Sequence, residues 1–106
     1  MSANEEATLP DGTVIGYLEP WLANPGVFNG WVSDEPGVHS IAAEGVSRDR
    51  AELEIVRLFL VREIKVQEGA DQSSPDGVER NRLIREGFSR QKALTSKILQ
   101  EEGGTA

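Results

Sequence analysis

The chain has no cysteine and only one histidine among its 106 residues. Without cysteine it has no disulfide framework and no thiolate chemistry, a composition that fits a reducing compartment. The single histidine, His39, is followed by Ser40. Adjacent residues on a strand point to opposite faces, so these two side chains do not form a ready nucleophile pair. The absences favour a protein that is not an enzyme.

Motifs of catalytic and cofactor-binding sites are also missing. The chain has no phosphate-binding loop and none of the patterns Gly-x-Gly-x-x-Gly, His-Glu-x-x-His or Gly-x-Ser-x-Gly. Asp34, Glu35 and Glu44 carry the oxygen ligands that a hard cation needs, but Asp-Glu-Pro-Gly is better explained as a turn. We therefore expect no catalytic residue, no metal and no cofactor.

Long apolar segments are absent as well. A transmembrane helix needs about 20 mostly apolar residues, whereas the longest apolar stretch, within residues 47–66, is interrupted by charges. The N-terminus shows neither the basic nor the apolar segment of a signal peptide. We expect no membrane partner and a cytoplasmic or virion-associated location.

Basic residues are missing from the first part of the chain. The net charge is −7, and residues 1–47 contain seven acidic residues and no Lys or Arg. All eleven basic residues lie between Arg48 and Lys97. This asymmetry predicts either attraction between two parts of one fold or an acidic face that docks on a basic partner.

The sequence does contain a central amphipathic segment at residues 47–66. Ser47 is a good helix N-cap, because its hydroxyl can accept a hydrogen bond from a free amide of the first turn. Apolar residues then recur at spacings of three and four, and a second apolar set on the other side predicts a helix covered on both faces. The first set is Leu53, Val56, Leu60 and Ile64. We predict a helix over residues 48–61; residues 62–67 alternate with period two and are either helix or strand.

Turn-forming residues divide the N-terminal part into short strands. A turn at residues 9–12 (LPDG) precedes a strand predicted at residues 13–18, because proline presets φ and glycine accepts a positive φ. Asn24-Pro25-Gly26 and Glu35-Pro36-Gly37 predict type II turns. Residues 38–43 are a further candidate strand.

The clearest local signal is the dipeptide Asn29-Gly30. Asn-Gly is preferred in the type I′ turn of a two-residue hairpin, and apolar pairs flank it at residues 27–28 and 31–32. We predict that the chain reverses direction here between two short strands.

A second helix is predicted in the C-terminal part, with Ser74 as its N-cap and Pro75 at its first position. Gly87 costs about 1 kcal/mol in a helix interior, so a break there, with Ser89 capping a third helix, is the alternative. That alternative resembles a helix-turn-helix, in which basic side chains contact DNA. The candidate nucleic-acid-binding residues are Arg85, Arg90 and Lys92.

Together these segments predict one α+β domain, in which a small antiparallel sheet of three to four short strands packs on a central helix and a C-terminal amphipathic helix follows. The predicted organisation is a flexible tail at residues 1–8, an α+β core at 9–68, a linker at 69–76, a C-terminal helix or helical pair at 77–100 and a tail at 101–106.

Two segments resemble a known family. Residues 31–37 (WVSDEPG) and 45–51 (GVSRDRA) are similar to the core of HicB-like antitoxins, where an acid-rich Pro-Gly turn follows a strand and Gly-x-Thr/Ser precedes a helix. The resemblance implies a small sheet with a packed helix, often followed by a DNA-binding segment, in a protein that neutralises a small toxic RNase. Gly45 and Ser47 match by position. The distance from Pro-Gly to Gly45 is longer than in the family, and the C-terminal segment is too short to carry over the DNA-binding role.

The aromatic residues cluster with the acidic ones, since four of six precede the central helix. They form either the core beneath that helix or an exposed docking patch. We predict a non-catalytic module that masks a basic surface of a protein partner, as an antitoxin or a phage-type inhibitor does. The candidate partner-binding residues are Trp21, Trp31, Asp34, Glu35 and Glu44.

Two alternatives belong to other functional classes. One is a small structural subunit of a virion or multiprotein assembly, for which self-association is expected. The other is a DNA-binding repressor that uses the basic C-terminal helix and binds duplexes with a steep salt dependence. The net acidity makes nucleic acid the less favoured partner.

Overall fold

Four strands and two helices follow one another along the chain. The computed structural model describes residues 4–35 and 38–103, without the side chains of residues 34–38 and 103. The elements are β1 (Glu5–Thr8), β2 (Val14–Pro20), β3 (Phe28–Glu35), β4 (Val38–Val46), α1 (Arg48–Glu68) and α2 (Pro75–Gly103). The strands form one antiparallel sheet in the order β1-β2-β3-β4. The predicted α+β class is confirmed.

Short turns connect the first three strands. In the first turn the Gly12 amide donates to the Leu9 carbonyl at 2.9 Å, and in the second the Val27 amide donates to the Asn24 carbonyl at 3.2 Å. Gly12 and Gly26 have φ values of 92° and 89°, in the left-handed region that glycine adopts without a Cβ penalty. Both predicted turns are confirmed. Residues 36 and 37 of the third predicted turn lie outside the described residues.

The predicted hairpin at Asn29-Gly30 is wrong, because β3 runs straight through both residues. Gly30 pairs with Leu18 and Asn29 pairs with Glu19 of β2. The glycine is required here by packing: a Cβ at position 30 would lie 2.9 Å from the Ala51 carbonyl oxygen of α1. A local turn preference is overridden because this position brings the sheet close to the helix.

The predicted flexible tail at residues 1–8 is wrong for its second half, which forms β1. Glu5 pairs with Leu18, and Ala7 pairs with Gly16. Ala7 is 1% exposed and the following Leu9 is 2% exposed. Burial of these two side chains stabilises a strand that its polar sequence did not indicate. Residues 1–3 lie outside the described residues.

The central helix begins at the predicted cap and is longer than predicted. The Ser47 hydroxyl accepts from the Arg50 amide at 3.4 Å, which confirms the cap. The helix continues to Glu68, so the strand alternative for residues 62–67 is wrong. Its last turn is held by α2, because the Gln67 side-chain amide donates to the Gly77 carbonyl at 2.7 Å.

The C-terminal helix is a single unbroken element. Ser74 caps it as predicted, its hydroxyl accepting from the Gly77 amide at 3.0 Å. The predicted break at Gly87 is wrong, and with it the helix-turn-helix interpretation of that segment. The predicted linker ends at residue 74 instead of 76. The predicted tail begins too early, since residues 101–103 are helical; residues 104–106 lie outside the described residues.

Helix α1 is the middle layer of three. One side packs on β2, β3 and β4, and α2 packs along it in the antiparallel direction. Ile55 and Val56 of α1 are 0% exposed, and Leu94 of α2 is 1% exposed. Within the described residues, neither helix combines the length and apolarity needed to cross a membrane.

Candidate functional site

The sheet has one face against α1 and one face that points away from both helices. Gly30 lies on the α1 side of the sheet, because a Cβ at this position would be 3.0 Å from Ile55 Cγ1. Successive strand residues point to opposite faces, so Trp31 and its cross-strand partner Tyr17 project from the other side. We call this side the open face. Its described side chains include Glu6, Tyr17, Glu19, Trp21, Asn29, Trp31, Ser33, His39 and Ile41.

An apolar row crosses the open face. Tyr17, Trp31 and Ile41 are cross-strand neighbours on β2, β3 and β4. None of the three belongs to the buried core. Ile41 exposes 45% of its surface, and both rings are half-buried. Adjacent apolar side chains on a solvent-facing sheet mark a surface suited to binding another macromolecule.

Both tryptophans are oriented by hydrogen bonds from their indole N–H groups. Trp21 Nε1 donates to Asn29 Oδ1 at 2.9 Å, and Trp31 Nε1 donates to Glu19 Oε1 at 3.3 Å. The Asn29 side-chain amide donates to the same Glu19 oxygen at 3.1 Å. The two rings therefore share one polar anchor, the Glu19–Asn29 pair, which fixes their orientation on the sheet.

Trp21 lies against the backbone of β4. The Gly45 amide donates to Asn29 Oδ1 at 3.0 Å. A Cβ at Gly45 would stand 3.1 Å from Trp21 Cζ2, and the residue has a φ of 67°. Position 45 therefore favours glycine for both conformation and space. Trp21 still exposes 41% of its surface, which favours the docking-patch interpretation for this residue, whereas Phe28 packs against the core.

The single histidine pairs with the single tyrosine. The Tyr17 hydroxyl contacts His39 Nε2 and also lies 2.9 Å from Nδ1, and the rings meet edge to face with centroids 4.8 Å apart. The next residue, Ser40, pairs across the sheet with Val32 on the opposite side of the pleat. His39 is thus a binding partner of an aromatic ring on the open face, with Ser40 directed elsewhere.

The predicted acidic residues do not come together. Glu44 is exposed at the end of β4 that adjoins Trp21. Asp34 and Glu35 lie at the opposite end of β3, and their side chains are outside the described set. At about 3.3 Å per strand residue the separation is about 15 Å. The acids nearer the tryptophans are Glu19 and Glu44, with Glu6 opposite Tyr17.

Two residues of the site were missed by sequence reasoning, Glu19 and Asn29. The glycine after Asn29 predicts a turn at this residue, whereas in the structure the Asn29 side-chain amide lies between the two tryptophans and bonds to Trp21 and Glu19. Glu19 carried no local signal, since it follows a strand pattern and precedes a proline. Their roles depend on pairing between β2 and β3, which a single strand does not reveal.

Three of the six basic residues of α2, namely Arg80, Arg90 and Lys97, attach it to α1. Arg90 donates to Glu52 Oε2 through Nε at 2.8 Å and Nη2 at 2.5 Å. Lys97 lies 3.3 Å from a carboxylate oxygen of Asp49. Of the three candidate nucleic-acid-binding residues, only Arg85 and Lys92 are exposed. The structure thus directs Arg90 inward and leaves two separated cations on the outer surface.

Metal-binding side chains do not cluster in the described part of the chain, where no three carboxylates or histidines are placed to hold an ion. Comparison with known proteins adds no relative: no family model, no curated protein and no solved structure matches this chain. The resemblance of residues 31–51 to HicB-like antitoxins stays a prediction.

Proposed function

We propose that this protein is a non-catalytic binding module that uses its open face to mask a basic surface of a protein partner, as an antitoxin or a phage-type inhibitor does. The observation that carries the proposal is the shared anchor of Trp21 and Trp31. Two large rings are held by the Glu19–Asn29 pair on a sheet face that no described helix covers. Such rings lose little conformational freedom on binding and are frequent energetic centres of interfaces.

The charge distribution supports a basic partner. The whole net charge of −7 resides in residues 1–47, because residues 48–106 contain eleven acidic and eleven basic residues. Most of those cations pair within the fold. Glu6 and Glu44 are exposed, with Glu6 opposite Tyr17 and Glu44 at the end of β4 that adjoins Trp21. The acids would raise the association rate and select the partner, and the aromatic residues would supply the affinity. The proposal implies a cytoplasmic or virion-associated location.

The experiment is a pull-down at low salt from the native host with the tagged chain, followed by identification of every retained protein. We expect one basic protein in stoichiometric amount. Trp21→Ala and Trp31→Ala should each reduce its retention at least about tenfold. Leu22→Ala is the matched control, because Leu22 follows Trp21 and is 86% exposed but takes no part in the anchor.

Charge is tested separately with the retained protein in purified form. Glu6→Lys and Glu44→Lys should each slow association with the retained protein, and moderate salt should do the same. Glu68→Lys, an equally exposed change on α1, serves as the control. If the affinity is unchanged by salt, by these reversals and by reversals at Asp34 and Glu35, the masking role is wrong.

A further inference from the structure

The two edges of the sheet differ in how well they are protected. Edge strands invite pairing with another chain unless they are short, charged, irregular or contain proline. β1 has four residues, a register shift, and two glutamates, one of them 3.1 Å from Arg48. β4 has nine residues, no proline, no Lys or Arg, and a single acidic residue, Glu44. Its pairing with β3 shifts register at three places, and between these shifts its middle, residues 39–41, pairs in regular register.

An apolar groove runs beside the unprotected edge. It lies between β4 and α1 and has a volume of about 340 Å³. Ile41 and Val61 on its rim expose 45% and 62% of their surfaces. The groove therefore offers apolar area next to a strand that has a neighbour on one side only. Its lining residues are Ile41, Ala42, Glu54, Arg57, Leu58 and Val61.

The charges in the groove are self-complementary. Glu54 and Arg57 form an ion pair at 3.1 Å, with side chains 40% and 58% exposed. A basic partner would meet Arg57, and an acidic partner would meet Glu54. In a dimer with two-fold symmetry the same surface patch of each copy forms the contact. Glu54 of one copy can then face Arg57 of the other.

We propose that β4 pairs antiparallel with β4 of a second copy, so that one sheet continues through a two-fold dimer. Ile41 and Val61 of each copy then cover the groove of the other, and Glu54 of each copy faces Arg57 of its partner. The contact uses the edge of the sheet and leaves Trp21 and Trp31 accessible, but it covers Ile41 of the apolar row. The proposal does not rest on the function proposed for the open face, because the Glu19–Asn29 anchor lies outside this contact.

The first test is sedimentation velocity of the full chain over a range of concentrations. We expect a species of twice the 11.6 kDa chain mass. Ile41→Lys and Val61→Lys should each raise the dissociation constant by about tenfold or more. Val14→Lys is the matched control, because Val14 lies on the inner strand β2 with a similar exposure of 43% and should leave the constant unchanged.

The second test mixes two charge variants. The Arg57→Glu chain has an acidic residue at both positions 54 and 57, and the Glu54→Arg chain has a basic residue at both. Each should dimerise more weakly than the parent chain, and an equimolar mixture should recover a heterodimer. Recovery on mixing distinguishes a contact between copies from loss of the ion pair within each copy.

Hydrogen exchange is measured on the unaltered chain, so misfolding caused by a substitution cannot affect the result. Amides of β4 should become more protected as the concentration rises, while those of β1 should not change. A monomer at every concentration overturns the proposal. So does a dimer that resists both Ile41→Lys and Val61→Lys, because its interface would lie elsewhere.

Discussion

Glu52 is a carboxylate with 3% of its surface exposed, and it connects the three layers. Arg48 Nη1 donates to one of its oxygens at 3.1 Å, while Arg90 of α2 donates to the other. Arg48 also bonds Glu5 of β1. Burying an unpaired carboxylate costs several kcal/mol, and charge-assisted hydrogen bonds from two guanidinium groups offset that cost.

We predict that Glu52→Ala lowers the free energy of unfolding by about 2–3 kcal/mol, because two partly buried arginines lose their shared partner. Urea denaturation measures the change. Glu68→Ala on the same helix is the control: Glu68 is exposed, so its effect should stay below about 1 kcal/mol. Equal effects for the two variants would contradict the structural role of Glu52.

Asp11 in the turn after Leu9 gives the fold a defined acid sensitivity. A hydrogen bond from the Arg82 guanidinium of α2 lowers the pKa of Asp11 from 3.8 to about 2. Since the folded-state pKa is depressed, the stabilisation is complete above the unfolded value of 3.8 and is lost as the pH falls towards 2.

We predict that Asp11→Asn is less stable than the parent chain at neutral pH and that the difference shrinks as the pH falls from about 4 to about 2. Urea midpoints measured across that range check the sign. A difference that persists undiminished at the acid end would contradict this prediction, because it would show that the charge of Asp11 is not the cause of the lost stability.

Helix α2 shows why one glycine need not interrupt a helix. A Cβ at Gly87 would lie 2.6 Å from Leu60 Cδ2 and 3.5 Å from Phe59 Cε2. The missing side chain lets α2 approach α1 closely. The cost of about 1 kcal/mol in helix propensity is offset by this packing.

We predict that Gly87→Ala destabilises the protein by about 1–2 kcal/mol, because overpacking against Leu60 outweighs the gain in helix propensity. Ser89→Ala, an exposed change two residues later, should be neutral or slightly stabilising. A double-mutant cycle with Leu60→Ala should show that the two changes are not additive. A stabilised Gly87→Ala variant would mean that the helices are not in close contact there.

The whole molecule depends on α1, which supplies one buried face to the sheet and another to α2. Ile55 is 0% exposed beneath the sheet, and Leu60 is 3% exposed against α2. The sheet and α2 therefore stabilise each other through a shared element, although their direct contact is small. Such an arrangement favours a single cooperative unit.

We predict that the sheet and the helices unfold in one transition. Tryptophan fluorescence reports the sheet through Trp21 and Trp31, and far-UV circular dichroism reports mainly the two helices. Their urea midpoints should coincide within error. A helical signal that is lost at lower urea, with fluorescence unchanged, would show that α2 detaches independently.

The elements whose signals are local could be predicted from the sequence. The helix cap at Ser47, the two apolar faces of α1, the cap at Ser74 and the glycine turns at Gly12 and Gly26 all depend on neighbouring residues. Their physical causes act over one or two helical turns or within four residues. These elements are accordingly where the sequence predicted them.

Where local preference conflicted with packing, contacts between residues distant in sequence set the outcome. Asn29-Gly30 lies in a strand because Gly30 meets Ala51 of α1, and Gly87 lies in a helix because it meets Leu60. The open face, with Glu19 and Asn29 joining two tryptophans, arises from strand pairing. Contacts between residues distant in sequence contribute as much free energy as local propensities, and the identity of one residue does not disclose them.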